Sequence, residues 1–485
     1  MKISCRLNTF SIMGLLGVSN ALALGYQASN NVEHPNILFI LVDDMGYSDL
    51  GCYGNTINET PNIDNLASQG KRFTHMYAGS AVSTPSRFSI ITGYFPIRYN
   101  IGHVFRDDNE YMIPSETNLP SLLKSAGYHT AHIGKWHLGG LREEDVKRRL
   151  EGKSSIPGPL QQGFEYASTS IEGKPIRRDL MLGDSLYCKG GKYMIENDSF
   201  AHPIEAHLED IKTQKVLDLL DTYSKKNDAP FYINLCYDAP HAPYEPAPKK
   251  HLSKYQAIGA TGNNLYYRSM ISHLDECIGR IEKKLRDLDL FDNTIIIFTS
   301  DNGPAMQGVP GPFKGGKSDL HEGGIRVPAF IVWNGVIPSN TLSHDNNHFT
   351  DFLPTLCNIA GVRNVPDKDG ENRIKSWTSQ GECVPRNKRM FFSINLLGNS
   401  QLQEPRPEPH ISHVVIDGKW KLTAMVDEEK VVPLELYDLI SDEREIKNIL
   451  GKQPKVEAEL LDFMSDVIDD ERWEWDRNLG VYNVD

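Results

Sequence analysis

Asn36-Ile37-Leu38-Phe39-Ile40-Leu41-Val42 runs directly into Asp43-Asp44. An unbroken apolar run of strand length belongs to a strand buried on both faces, as in a parallel sheet, and two carboxylates at its end mark where it leaves the core. The pattern recurs: Phe231-Tyr232-Ile233-Asn234-Leu235-Cys236 leads to Asp238-Ala239-Pro240-His241, and Thr294-Ile295-Ile296-Ile297-Phe298 leads to Ser300-Asp301-Asn302-Gly303. Between them, Ile271, Leu274, Ile278, Ile281 and Leu285 recur at the spacing of one helical face. Strands alternating with helices predict an α/β fold, a large and mostly parallel sheet sandwiched by helices. Ligands of such sheets bind beyond the carboxyl ends of the strands, where all three polar clusters fall.

From about Arg386 the pattern changes. Met390–Ile394, His413–Ile416, Trp420–Thr423 and Leu434–Tyr437 are short strand-like runs joined by turns such as Asp417-Gly418, followed by a helical stretch around Val456–Asp469. We expect a large α/β domain over 24–385 and a smaller α+β domain over 386–485, with an antiparallel sheet and one helix packed on it. The stretch from Leu141 to Asp228 is polar and reads as an irregular insertion shaping a pocket, and no internal repeat is evident.

The chain has 485 residues with 51 Lys and Arg against 64 Asp and Glu, a net charge of −13. That field opposes nucleic acid and anionic membranes, so an anionic ligand needs a local cluster of cations. Lys2 and Arg6, the apolar stretch from Phe10 to Val18 and Ala21-Leu22-Ala23 have the order of a secretory signal peptide over 1–23, which predicts export. No later run is long enough to span a bilayer. Cys5 leaves with that leader, and the remaining cysteines are scattered without paired or metal-ligand spacing, so no disulfide is assigned.

The chemistry is concentrated in Ser83-Thr84-Pro85-Ser86-Arg87-Phe88-Ser89-Ile90-Ile91-Thr92-Gly93. Alone this is a helix start, with Ser83 or Thr84 as the cap. A side chain there also meets free N–H groups, which stabilise an anion or alkoxide. At these residues the sequence resembles the sulfatase family, whose signature is Cys or Ser, any residue, Pro, Ser or Ala, Arg, three further residues, then Leu or Ile, Thr and Gly. The resemblance implies an alkaline phosphatase-like fold. It also implies that Ser83 is oxidised to Cα-formylglycine, in a serine-type bacterial enzyme matured by a formylglycine-generating radical enzyme.

Other segments agree. Asp43-Asp44, followed by Gly46-Tyr47 and Asp49, resembles the family's first metal motif, and Ser300-Asp301-Asn302-Gly303 its second. Carboxylates and an amide form an all-oxygen donor set, which suits Ca²⁺, or else Mg²⁺, rather than zinc. Gly134-Lys135-Trp136-His137-Leu138-Gly139 matches a further family motif, with Lys135 and His137 at alternate positions, expected on one side of an extended segment. His241 sits in a proline-stiffened loop. Lys317, rather than the nearby Lys314, has the family's distance from Glu322-Gly323-Gly324-Ile325-Arg326-Val327-Pro328. Trp420-Lys421-Leu422 and Leu436-Tyr437-Asp438-Leu439 resemble the family's C-terminal region.

The resemblance implies these roles: the formylglycine hydrate at 83, on a cation held by Asp43, Asp44, Asp301 and Asn302, attacks sulfur with help from Asp301; Lys135 and Lys317 hold sulfate oxygens; Arg87 orients the nucleophile; His241 protonates the departing oxygen; and His137 takes the proton whose loss expels sulfate. The expected substrate is a sulfated saccharide, glycosaminoglycan fragments first and mucin-type or algal oligosaccharides next. Lys174, Arg177, Arg178, His103 and Arg106 are open as sugar contacts, though solvated surface charge accounts for them better. Two other functions remain open at this point: a phosphatase or phosphonate hydrolase of the same superfamily, and a non-catalytic glycan-binding protein in which Ser83 stays unmodified.

Overall fold

The structure is a computed structural model describing residues 34–105, 111–112, 114–115, 117–170, 193–197, 199, 202–203, 206–226, 228–396, 410–427 and 430–470. The expected leader over 1–23 lies outside these residues, as do Arg106, Lys174, Arg177 and Arg178. Among the described residues, no helix is long and apolar enough to cross a membrane.

Among the described residues the large sheet has eleven strands: β1 (Asn36–Val42), β2 (Lys71–Tyr77), β3 (His129–Gly134), β4 (Tyr166–Ser170), β5 (Tyr193–Glu196), β6 (His202–Pro203), β7 (Phe231–Cys236), β8 (Thr294–Ser300), β9 (Arg326–Val332), β10 (Thr341–Ser343) and β11 (Asn347–His348). Their order is β10-β2-β9-β8-β1-β7-β3-β4-β5-β6, with β11 also on β2. The run β8-β1-β7-β3-β4 is parallel, whereas β9 is antiparallel to both β8 and β2.

β1 lies at the centre with all seven residues buried, as an unbroken apolar run requires. Its alternate residues serve two cores. Ile37, Phe39 and Leu41 face Phe88, Ile90 and Leu356, while Leu38, Ile40 and Val42 join Ile271, Leu274, Ile278 and Ile281 of the Gly262–Asp287 helix. Each such side chain, fully buried, contributes roughly 1.5–3 kcal/mol relative to exposure. The centre of the sheet is therefore its stiffest part, and the site is built on its end.

The second sheet is antiparallel, in the order β12 (Met390–Leu396), β13 (His410–Asp417), β14 (Trp420–Asp427) and β15 (Lys430–Asp438). Leu460, Met464 and Val467 of the Pro454–Ile468 helix pack on its Phe391, Val415, Leu422 and Leu436. The other face, through Phe392 and Val414, packs on Tyr77 and Ile325 of the large-sheet region.

Two expectations are corrected. The stretch from Leu141 to Asp228 is not merely irregular: its described part supplies β4, beside β3, and the Leu208–Lys226 helix, whose Val216 and Leu220 enter the core. Glu209, Lys212 and Thr213 are also buried on that helix, and these polar residues hide its apolar periodicity. Secondly, neither Ser83 nor Thr84 caps the Ser83–Thr92 helix; Val82 occupies the cap position and Ser83 is already helical.

Candidate active site

Val42 pairs with Ser300 in the parallel β1–β8 register, so Asp43-Asp44 and Asp301-Asn302 leave adjacent strand ends at one level. All four side chains are buried. Asp44 adopts a left-handed backbone, φ 60°, unusual for a residue with a Cβ. Its N–H donates to Asp301 Oδ1 at 3.2 Å, and its Oδ1 accepts from Asn302 Nδ2 at 2.7 Å.

The Ser83–Thr92 helix points its first turn at this cluster. Ser83 Oγ lies 3.4 Å from Asp43 Oδ1, 3.5 Å from Asn302 Oδ1 and 3.4 Å from Lys135 Nζ. Arg87, one turn on and so on the same helix face, donates from Nε and Nη2 to Asp301 Oδ2 at 3.1 and 2.8 Å and from Nη1 to the Lys135 carbonyl at 2.9 Å. Lys135 follows β3 and its ammonium contacts Asp43 Oδ2.

Lys317 Nζ donates to Asp44 Oδ2 at 2.8 Å and lies 3.0 Å from His241 Nε2. Lys314 is elsewhere, 3.9 Å from Glu435. His241 Nε2 is 3.5 Å from Asp44 Oδ2, while Nδ1 is turned to the Ala242 carbonyl. The His137 carbonyl accepts from Thr84 Oγ1 at 2.9 Å. His137 itself has φ 60°, so the segment bends at His137 instead of running extended past Lys135.

Three carboxylates thus face three permanent cations, Arg87, Lys135 and Lys317. Burial pushes the Asp43 carboxyl up, but Lys135, His241 and Arg87 outweigh it and hold it below the usual range. Burial weakens the charged forms of Arg87 and Lys317, yet Asp301 and Asp43 for the first, and Asp44 and Asp43 for the second, raise both above their ordinary values. His137 goes the other way: burial, then Lys135, Arg87, Lys317 and His241, lower it far enough that the imidazole is neutral at pH 7.

The donor set fits a hard divalent cation. Asp43, Asp44, Asp301 and Asn302 offer only oxygens from two adjacent strand ends, and Asp43, Asp44 and His241 each place a ligand-type atom within 4.8 Å of the others. With the cation present the cluster would carry a net +2, a charge that selects an anion.

Some contributors were not foreseen from the sequence. Lys212, fully buried, pairs with Asp238 and lies 3.8 Å from Glu209, whose Oε1 accepts the Ala239 N–H at 3.2 Å. The loop bearing His241 is therefore fixed from beneath by the Leu208–Lys226 helix. The available signal was charge on the apolar face of that helix. Asp49, part of the first motif, does not join the cluster: it accepts N–H bonds from Gly46 at 2.7 Å and Val309 at 3.2 Å, and burial pushes it up to about 6. Of the open sugar contacts only His103 is described; two residues on, Phe105 N–H reaches Thr84 Oγ1 at 3.4 Å, beside Ser83.

The profile of the Sulfatase family matches residues 35–362. Human N-acetylgalactosamine-6-sulfatase is 34% identical over 393 residues, covering 75% of this chain and 69% of that protein. N-acetylgalactosamine-6-O-sulfatase of Bacteroides thetaiotaomicron is 28% identical over 500 residues, covering 90% and 94%. A sulfatase solved in work on the metabolism of multiple glycosaminoglycans by the same bacterium is similar with a TM-score of 0.68 and 25% identity, covering 90% of this chain and 99% of that one.

Proposed function

Since the chain belongs to the sulfatase family and is a sulfuric ester hydrolase, we propose that it removes sulfate from a glycosaminoglycan-derived saccharide, using residue 83 in its formylglycine form as the nucleophile. One observation carries the reading: Ser83 Oγ sits at a helix start 3.4 Å from both Asp43 and Lys135 and 3.5 Å from Asn302, inside a cluster whose cations collect at one point. The relatives' names make N-acetylgalactosamine 6-sulfate the first substrate to try.

Asp43, Asp44, Asp301 and Asn302 would hold the cation, Ca²⁺ in preference to Mg²⁺ because a four-oxygen cage of side chains suits the larger ion. That cation supplies a Lewis acid that polarises sulfate oxygens and favours the ionised nucleophile. The hydrated aldehyde at 83 supplies one hydroxyl to attack sulfur and a second whose deprotonation ejects the sulfate. An unmodified serine has no second hydroxyl and would stop halfway.

The other groups follow from their positions. Lys135 and Lys317 hold sulfate oxygens as the bond to the sugar breaks, a preorganised electrostatic contribution of the kind that dominates many enzymes. Arg87 fixes Asp301, whose other oxygen accepts the Asp44 N–H, so Asp301 is held within the cluster from which it assists the nucleophile. His241 has Nδ1 engaged by the Ala242 carbonyl and turns Nε2 into the cluster, beside Asp44 and Lys317, where it is the group to protonate the departing sugar oxygen. His137, kept neutral by its surroundings, is the base for the second hydroxyl.

The leader-like residues 1–23 support export to the periplasm, and oxidation of residue 83 calls for a formylglycine-generating partner. The test is sulfate release by purified, matured protein from defined sulfated mono- and disaccharides. Release from N-acetylgalactosamine 6-sulfate or a related glycosaminoglycan unit supports the reading. If verified formylglycine and saturating Ca²⁺ give no release from any of them, the saccharide assignment is wrong.

A further inference from the structure

We propose that Lys421, on β14 of the C-terminal sheet, is a positioning residue for the cation ligand Asn302 and for Lys317, an inference that rests on the cation reading above. The side chains of Glu322, Lys421 and Glu445 are all fully buried where the two sheets meet. Lys421 Nζ lies 3.0 Å from Glu322 Oε1 and 2.8 Å from Glu445 Oε1. Glu322 Oε2 accepts from the Tyr77 hydroxyl at 2.9 Å and from Arg326 Nη1 at 3.3 Å, and the Glu322 N–H donates to Glu445 Oε2 at 2.7 Å. Two carboxylates this deep need compensating charge, which the ammonium between them and the guanidinium beside them supply.

The Glu322–Ile325 turn so fixed is a direct neighbour of the catalytic backbone. Gly303 N–H donates to the Gly324 carbonyl at 2.8 Å, Gly323 N–H to the Lys314 carbonyl at 2.7 Å, and Lys317 N–H to the Pro304 carbonyl at 2.9 Å. A Cβ at Gly303 would fall 2.0 Å from the Gly323 oxygen, and one at Gly324 would fall 1.7 Å from the Asp319 oxygen. Backbones this close shift together. Asn302 precedes Gly303 and donates Nδ2 to the Gly303 carbonyl at 2.9 Å as well as to Asp44. Movement of the Glu322 turn therefore reaches a cation ligand and a sulfate-binding lysine at once.

Lys421→Met alone would strand two carboxylates, so the test uses Lys421→Met with Glu445→Gln, which leaves the Glu322–Arg326 pair balanced. Ca²⁺ affinity by titration calorimetry and kcat should both fall about tenfold or more, the usual cost of losing a group that orients metal ligands. Glu445→Gln alone keeps one acceptor oxygen for Lys421, gives up the one that receives the Glu322 N–H, and leaves the Lys421–Glu322 pair whole, so it should stay within about threefold of the unaltered protein. A double variant with unaltered Ca²⁺ affinity and kcat overturns the inference, whatever its thermal stability. A wild-type measurement decides if the double variant does not fold: by reciprocal coupling, Ca²⁺ added to metal-free protein should slow amide hydrogen exchange at 322–325 and 420–423, and no change there overturns it too. Should the unaltered protein bind no Ca²⁺, the cation reading falls instead.

Discussion

Breaking the Arg87–Asp301 pair is the perturbation whose size the structure fixes best. The two side chains are 3% and 0% exposed and meet at 2.8 Å. At an effective dielectric of about 20 their attraction is about 6 kcal/mol, part of which is offset by the desolvation of both groups. Removing one partner of such a pair strands the other, at a cost of about 3–5 kcal/mol. Arg87→Met should therefore lose about that much in urea unfolding of the chelator-treated protein, and Asp301→Asn should lose a similar amount. Changing both removes the stranded charge, so the double variant should be more stable than the sum of the single losses predicts, by about 2 kcal/mol or more. Excess Ca²⁺ should shrink the Arg87→Met loss, because a cation re-pairs Asp301. Losses that simply add to within about 0.5 kcal/mol would refute the claim that these charges hold each other in place.

Lys317→Ala should reduce kcat/KM by about a hundredfold or more, whereas Lys314→Ala, placed on Glu435 at the surface, should change it less than about threefold; equal losses would remove Lys317 from sulfate binding. Because burial and the cations around His137 lower its pKa, the acid limb of the kcat profile that reports this base should lie well below pH 6.5, and a limb assigned to it at pH 7 or above would exclude that role. The Asp210–His273 ion pair, at 3.1 Å, gives a separate stability signature. Despite burial, which lowers it, Asp210 and Cys277 raise His273 to about 10, and His273 first of all lowers Asp210 to about 2. The pair's contribution is whole between the unfolded values of about 4 for Asp and about 6.5 for His, fades towards pH 10, and fades again below pH 4. Asp210→Asn should accordingly lower Tm more at pH 5.5 than at pH 10, and the reverse order would contradict the pairing.

The sequence carried unequal information about different parts of the molecule. β1 and β7 have the bounds their runs predict, because a strand covered on both faces stays nearly all apolar until it leaves the core; Asn234, inside β7, is buried with its amide against His132. β14 and β15 extend past their predicted ends through residues such as Val426, Val431 and Val432, where alternating exposure blurs the pattern. The Leu208–Lys226 helix was not legible, since Glu209 and Lys212 look solvated in sequence but are buried beneath Asp238 and Ala239. Most residues of the cluster could be named from the sequence because they belong to short motifs at a strand or helix end, whereas His241 and Lys317 lie in loops between elements. Their mutual arrangement was not legible. The left-handed turns at Asp44 and His137 follow from contacts with Asp301 and Thr84, far away in the chain. For the same reason nothing local foretold that Lys421 lies between Glu322 and Glu445.

The central claim is that residue 83 works as an aldehyde hydrate beside a divalent cation. Mass spectrometry of the peptide containing residue 83, on protein made with and without a formylglycine-generating partner, tests it most directly. The account predicts a peptide about two daltons lighter than the serine form, the loss of two hydrogens, and sulfate release that rises in proportion to that fraction. Full turnover by protein whose residue 83 is entirely serine would contradict it.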